Sequence, residues 1–366
     1  MKVLAGVLAL ALGCGACLGG GKNVGKTLRV ASMSGTVEVQ ASPAAAWAPA
    51  RVGQRIAPGG SVRTSAGAAA ALARDDGARL EVGPSSLIVV QTVRKVSLDL
   101  GRVLAATNDL TLTVSLAGIE AHGTRSTFRV DRDFSERVGV YSGEVLVIGD
   151  SSTVTVSPLQ QVELTGGVLP RDTVPLIISP TDPWDRTQLA DVLDLDRQLR
   201  GYGRAFVHDF GSKARDPEFY RGLAPSISAP ALAASLSQTD DPADVLFGVL
   251  MAVHLKGDVA GVLGRLLGLR RAGATWGLLA KTFHIGARDF IAIVVAAFLP
   301  ASPSPTPAGP GPTTGNPSPS PTSGPRPTHS PSPRPTRSPS PSPSPTPTCS
   351  AIDALLGHCS SANTLL

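Results

Sequence analysis

From Leu28 to about Val168 the chain repeats one pattern: short runs in which apolar and polar residues alternate, each cut by Gly, Pro or Asp-Gly. Thr36-Val37-Glu38-Val39-Gln40, Ala78-Arg79-Leu80-Glu81-Val82, Leu110-Thr111-Leu112-Thr113-Val114 and Thr153-Val154-Thr155-Val156 all carry a period of two. That period turns every second side chain toward one face, as a half-buried strand requires, whereas the apolar stripe of a helix needs a period of 3.6. The short Gly-, Asp- and Pro-containing connections predict short strands joined mostly in sequence order. Residues 28–168 are therefore expected to form an all-β domain, a roll or solenoid-like stack of short strands.

Beyond Pro170 the grammar changes. A link over 169–183, punctuated by Pro175, Pro180 and Pro183, leads into helical spacing from Trp184, with Leu189, Val192, Leu193 and Leu199 on one stripe. Asp241-Pro242 opens a further helix, the carboxylate capping free amides and the proline standing where its missing donor costs nothing. That helix, Ala243 to Lys256, is apolar nearly all round and stops at Gly257, as expected inside a small bundle. Asp258 and Thr275 are candidate caps of two more, with a break at Gly273. The ten apolar residues Phe290 to Leu299 are half of what a bilayer span needs, so they read as a bundle helix. The expected fold class is multidomain α+β: the β domain, a small all-α domain over 184–299, and a disordered tail. A length of 366 residues agrees with about two domains.

The two ends carry an address. Residues 1–21 hold Lys2, the apolar run Val3 to Leu12 and a patch of small residues, the layout of a signal peptide. Ala11-Leu12-Gly13 before Cys14 resembles a bacterial lipobox, with Ala11 where that motif prefers Leu, and Cys17 after Ala16 is a second candidate for lipid attachment. An ordinary cut near Ala16 with free secretion is the alternative. The expected location is the extracytoplasmic side of the cell membrane, held by an N-terminal lipid, or outside the cell. From 300 to 348 the chain is almost entirely Pro, Ser, Thr and Gly, and its only charges are basic, Arg326, Arg334 and Arg337, plus His329. Such a spacer samples polyproline II and reaches on the order of 150 Å. In the tip, 349–366, Cys349 and Cys359 read as a disulfide loop that would restrict this end by about 2–3 kcal/mol. His358 beside Cys359 offers too few ligands for a metal.

Within the β segment, Trp47, Gly53, Pro58-Gly59-Gly60, Thr64, Asp75-Asp76-Gly77, Gly101-Arg102-Val103 and Gly123-Thr124 followed by Phe128 stand in an order that resembles the FecR-type domain of envelope proteins. The resemblance covers about a third of the chain. Read locally, the glycines supply positive φ in hairpin turns, Asp76-Gly77 suits a type I′ turn and Trp47 plugs one end of the core. The family usually has Phe two residues after Gly-Thr. Here Arg125-Ser126-Thr127 intervenes, an extension of two that preserves the facing of Phe128. Family members of the ferric-citrate type add a cytoplasmic anti-sigma region and a transmembrane helix, which this sequence does not display. What the resemblance implies is an exposed β module that binds or scaffolds something in the envelope.

Chemistry is thinly signalled. A net charge of +5, no basic run of five or more and 4% aromatic residues argue against a nucleic-acid partner. His122, His208, His254, His284, His329 and His358 show no metal spacing. Asp75, Asp76 and Glu81 could act as an acid–base pair, but an Asp-Asp-Gly turn needs its carboxylates only for local amides. Asp191, Asp194 and Asp196 fit alternate faces of one helix. No catalytic residue, metal or cofactor is therefore assigned, and the chain is read as no enzyme. The leading expectation is a non-enzymatic binding or scaffolding protein whose partner is wall polymer or another envelope protein. The second is a signalling sensor acting through a membrane or sigma-factor partner.

Overall fold

The computed structural model describes residues 27–298. Cys14, Cys17, Cys349 and Cys359, and with them the leader, the spacer and the tip, lie outside the described residues. The β segment forms β1 (Leu28–Ser34), β2 (Val37–Gln40), β3 (Ala48–Pro49), β4 (Arg55–Ile56), β5 (Ser61–Thr64), β6 (Ala69–Ala73), β7 (Arg79–Val82) and β8 (Leu87–Thr92). It continues through β9 (Lys95–Ala106), β10 (Leu112–Leu116), β11 (Ile119–Arg132), β12 (Glu136–Ile148), β13 (Thr153–Val156), β14 (Gln160–Leu164) and β15 (Val174–Pro175). All belong to one sheet, whose main path runs β15-β14-β12-β11-β10-β9-β7-β6-β1-β4. Pairing is antiparallel except between β9 and β10.

Most strands are short, as the breaks predict, but β9, β11 and β12 are long, and each changes partner midway. The first half of β9 pairs with β8 and its second half with β7 and β11. The switch falls at Gly101, whose φ of +84° lies where a Cβ is strained. β12 likewise passes from β14 to β13 across Gly143, φ +71°. In β11 the register shifts at Arg125 and Ser126, so the extra residues after Thr124 form a bulge and Phe128 still points inward, fully buried. These bends let one sheet wrap a single core of Val, Leu, Ile and Ala that includes Phe128.

Several sequence expectations are corrected here. Gly101 and Gly143 are strand bends, because their neighbours have ladder partners on both sides of them. The Asp-Asp-Gly loop is no type I′ turn: Gly77 N–H donates to Arg74 O at 3.0 Å with only Gly77 at positive φ, a three-residue loop with a glycine bulge. Trp47 is half-buried on the surface, under the Arg63 guanidinium 4.4 Å from its ring centre, and plugs nothing. The segment expected to be a free link is packed: Leu169 joins the core, β15 pairs with β14, and Leu176 is fully buried.

Among the described residues eight α-helices follow: α1 (Pro183–Gln188), α2 (Ala190–Phe210), α3 (Pro217–Leu223), α4 (Ala229–Ser237), α5 (Pro242–Leu255), α6 (Val259–Arg271), α7 (Trp276–Thr282) and α8 (Ala287–Phe298). Asp241 and Thr275 cap α5 and α7 as expected. The buried stripe of α2 uses Val192, Leu195 and Leu199, with Leu195 in place of the expected Leu193. None of the described helices is long and apolar enough to cross a membrane.

The chain divides into two compact units that do not follow the predicted boundary at 184. Among the described residues, one unit takes 27–197 together with 261–287; the other takes 198–260 and 288–298. In the first, Asp196 accepts a hydrogen bond from Gly277 N at 2.6 Å and Asp191 pairs with Lys281 at 2.8 Å, so α7 belongs with the β body. In the second, Phe206, Phe210, Phe219, Tyr220 and Phe298 form an aromatic cluster with ring centres 5.1 to 6.4 Å apart. The Tyr220 hydroxyl, fully buried, donates to the carbonyls of Ala214 (2.6 Å) and Pro242 (3.0 Å) and so ties α3 to the start of α5.

Candidate functional site

One concavity of the β body follows from composition. β6 reads Ala69-Ala70-Ala71-Leu72-Ala73; Ala70 and Leu72 fill the core, which leaves Ala69, Ala71 and Ala73 on the outer face. Register places Ser32 opposite Ala71 and Ser34 opposite Ala69, while Ala71 also faces Glu81 of β7. A strip of Ser, Ala and Gly has nothing to fill the space above it, and a trough of about 390 Å³ results. Its walls are Arg79, Glu81 and Arg102 on one side and Pro84, Pro183 and Trp184 around them.

The wall is held from behind. The Trp184 indole N–H donates to Glu81 Oε2 at 3.0 Å, and Arg79 bonds the other Glu81 oxygen at 3.1 Å. Arg102 lies over the Trp184 ring, 5.0 Å from its centre, and donates to Asp182 Oδ2 at 2.5 Å. Asp182 also caps α1, accepting from Trp184 N at 2.8 Å. Deeper still, Arg129 bonds Asp131, Asp182, Asp185 and the Tyr141 hydroxyl, and Arg137 bonds Asp131 at 2.5 Å. The Tyr141 hydroxyl in turn donates to Asp185 at 2.6 Å. The side chains of Arg129, Asp131 and Asp185 are at most 2% exposed.

Burial works to raise the Asp182 carboxyl, but Arg129, Arg102 and the amides of Trp184 and Asp185 together hold it below the ordinary carboxylate range. Asp185 goes the other way: burial raises it beyond what Tyr141, Ser179 and Arg129 offset. Burial likewise pushes the Tyr141 phenol up. This cluster is closed and fully bonded, so it positions the wall of the trough and offers no group to a ligand.

Two further hollows are smaller in promise. One, lined by Asn108, Asp109, Arg125 and Ser142, opens over the β11 bulge. The other lies beside the Asp191–Lys281 pair and His284.

Of the residues singled out in the sequence, Glu81 and Arg102 line the trough and Asp191 and His284 line the third hollow, while the other family-motif positions line none of them. Gly53 and Gly59 serve turns at φ +87°. Thr64 is buried, donating to Gly83 O at 2.6 Å and accepting from Ser86 N at 2.9 Å. Gly123 is needed for space, since a Cβ there would meet Phe128 Cδ1 at 2.8 Å. Thr124 bonds Thr111 at 2.7 Å on the surface. They are determinants of the fold. Asp76 is taken by Arg74 (2.6 Å) and by the Ala78 amide, with Arg74 as the main cause of its lowered pKa, and Glu81 by Arg79 and Trp184. The aspartates of α2 do not form a cluster either: Asp191 pairs with Lys281, Asp194 with Arg197, and Asp196 with Gly277 N. His122 bonds Thr113 and faces Glu120 at 3.1 Å. Among the described residues no group of three or more His, Cys, Asp or Glu is arranged to hold a metal ion.

No protein-family model and no curated protein matches this chain. Among solved structures it is similar to two crystal structures, at 1.65 and 2.50 Å resolution, of a candidate anti-sigma factor from Parabacteroides distasonis ATCC 8503. Identity is 14%, the match covers 32% of this chain and 59% of that one, and the TM-score is 0.29. The chain thus spans about three fifths of the length of that protein, and a TM-score this low carries no inference from it.

Proposed function

We propose that this chain is an exported, lipid-anchored envelope protein of the FecR-domain kind, and that its β body is a non-enzymatic binding module. The observation that carries this reading is the trough: a floor without bulky side chains, flanked by Arg79, Glu81 and Arg102 and backed by Trp184. A flat, open strip of that kind admits an extended polar chain, and the guanidinium and carboxylate groups along it offer hydrogen bonds to hydroxyl, amide and carboxylate groups. Wall polymer is the partner we favour, with the spacer extending the tip through the wall and neither nucleic acid nor a cofactor involved. The leader, with Cys14 or Cys17 as lipid site, supports the location.

A photo-cross-linking residue in place of Ala69, in the trough, tests the proposal in intact cells. Wall glycan should be recovered on Ala69 and not on a control position at Glu163 of β14, an exposed residue on another strand. Recovery of a transporter or another membrane signalling partner at Ala69 would replace this account with the sensor reading. Equal capture at both positions would remove the trough from it.

A further inference from the structure

Residues 1–74 contain eight Lys and Arg and a single acid, Glu38. Glu38 is taken by Arg63 at 2.7 Å, and Arg74 by Asp76. Arg29 on β1, Arg55 on β4 and Arg51 in the turn before β4 remain; all three are exposed, and among the described residues none has an ion pair. Arg29 and Arg55 are direct register partners, so their side chains leave the same face side by side. Arg55 bonds only the Thr27 hydroxyl, at 3.2 Å. On its other side Arg29 faces Ala73, and Ala73 faces Arg79, whose charge Glu81 balances. The turn beyond Ala73 carries Asp75, one carboxylate against three guanidinium groups. Like charges placed directly opposite destabilise a strand pair, so this pairing asks for an anion from outside.

The position of the pair indicates which anion. Arg29 follows Lys22 and Lys26 in sequence, and Cys17 stands ten residues before Thr27. Ten residues reach at most about 35 Å. If the chain is lipidated at Cys17 or Cys14, Arg29 and Arg55 are confined near the bilayer surface, where each basic group is attracted to anionic lipid. We infer that Arg29 and Arg55, with Arg51 beside them, form a docking surface for anionic phospholipid headgroups that seats this end of the β body on the membrane. The inference rests on the envelope reading above.

The test uses the full chain with Cys14→Ser and Cys17→Ser, so that no acyl group contributes, and sedimentation with vesicles of phosphatidylcholine alone or mixed with phosphatidylglycerol. Lys2, Lys22 and Lys26 of the N-terminal segment favour the anionic vesicles in parent and variants alike, so the readout is the change that the arginine substitutions make in the difference between the two vesicles. Binding to the phosphatidylglycerol vesicles should be at least about tenfold stronger and should fall with salt. Arg29→Gln with Arg55→Gln should cut that advantage by at least about threefold, at a melting temperature that is unchanged or raised because the like-charge pair is gone. Arg94→Gln, an exposed arginine between β8 and β9, should leave it intact. Equal binding to both vesicles, an unaffected double variant, or an equal loss with Arg94→Gln would overturn the inference. So would tighter, Arg29- and Arg55-dependent binding to soluble polyphosphate, which would assign the pair to an anionic polymer. Since the assay needs neither cysteine, its failure leaves the envelope reading standing, and an uncut cytosolic chain would end that reading whatever the vesicles show.

Discussion

Arg129→Ala is expected to destabilise the unit that holds the β body by about 3–5 kcal/mol, the largest effect of any single substitution considered. Arg129 lies between Asp131 at 3.0 Å, Asp182 at 3.3 Å and Asp185 at 3.4 Å, and its own side chain is 2% exposed. Removing it leaves three buried carboxyl groups without their central cation, and the cost is that of stranding charge, which exceeds the net worth of the pairs themselves. The pH dependence follows by sign. In the parent chain Asp182 is held below its ordinary value, so its contribution is present above about pH 4 and is lost as pH falls through the folded value. Asp185, raised by burial, contributes in the opposite sense and favours the folded state on acidification. Without Arg129 the Asp182 and Asp185 carboxyl groups lose a cause that lowers them and move upward, so the gap between variant and parent should be widest at neutral pH and narrow toward pH 4. Urea unfolding followed by tryptophan fluorescence at both pH values reads this out. A loss under about 1 kcal/mol at pH 7 would mean that water already screens the cluster.

Gly101→Ala is expected to cost about 3–4 kcal/mol, from two independent sources. The backbone at φ +84° is strained for any L side chain, and the added methyl would stand 2.6 Å from Ser86 Cα, a backbone atom that cannot step aside. Ser86 is itself fixed, since its hydroxyl accepts from Arg102 N at 2.9 Å and its amide donates to Thr64. Gly53→Ala is the contrast: the same kind of φ, +87°, but open space around the Cβ, so strain alone remains and about 1–2 kcal/mol is lost. Equal effects at the two positions, in paired thermal melts, would contradict the partner-switch role given to Gly101.

Arg129 and Gly101 also show what a sequence displays and what it hides. Local chemistry is legible: Asp182-Pro183, Asp216-Pro217 and Asp241-Pro242 each start a helix by the same device, a carboxylate cap followed by proline. Only the last is among the sequence expectations, yet the other two carry an equal signal and would have placed α1 and α3. Gly101 is visible as a glycine, but whether it turns a hairpin or bends a continuous strand depends on which strands flank it, a long-range fact. Arg129-Val130-Asp131 alternates like any solvent-facing strand, and nothing local announces that Asp182 and Asp185, more than fifty residues later, cover it. The trough is hidden for a similar reason. Its floor exists because the register of β1 slips at Ala31, which brings Ser32 opposite Ala71, and no composition signal marks that slip.

The claim on which the functional account depends is that the chain leaves the cytosol by its leader. Intact-mass and N-terminal peptide analysis of the protein taken from separated cell fractions tests it most directly. The account predicts a membrane-fraction product that begins at Cys14 or Cys17 and carries the added mass of a lipid. A soluble cytosolic product that begins at Met1 would contradict it.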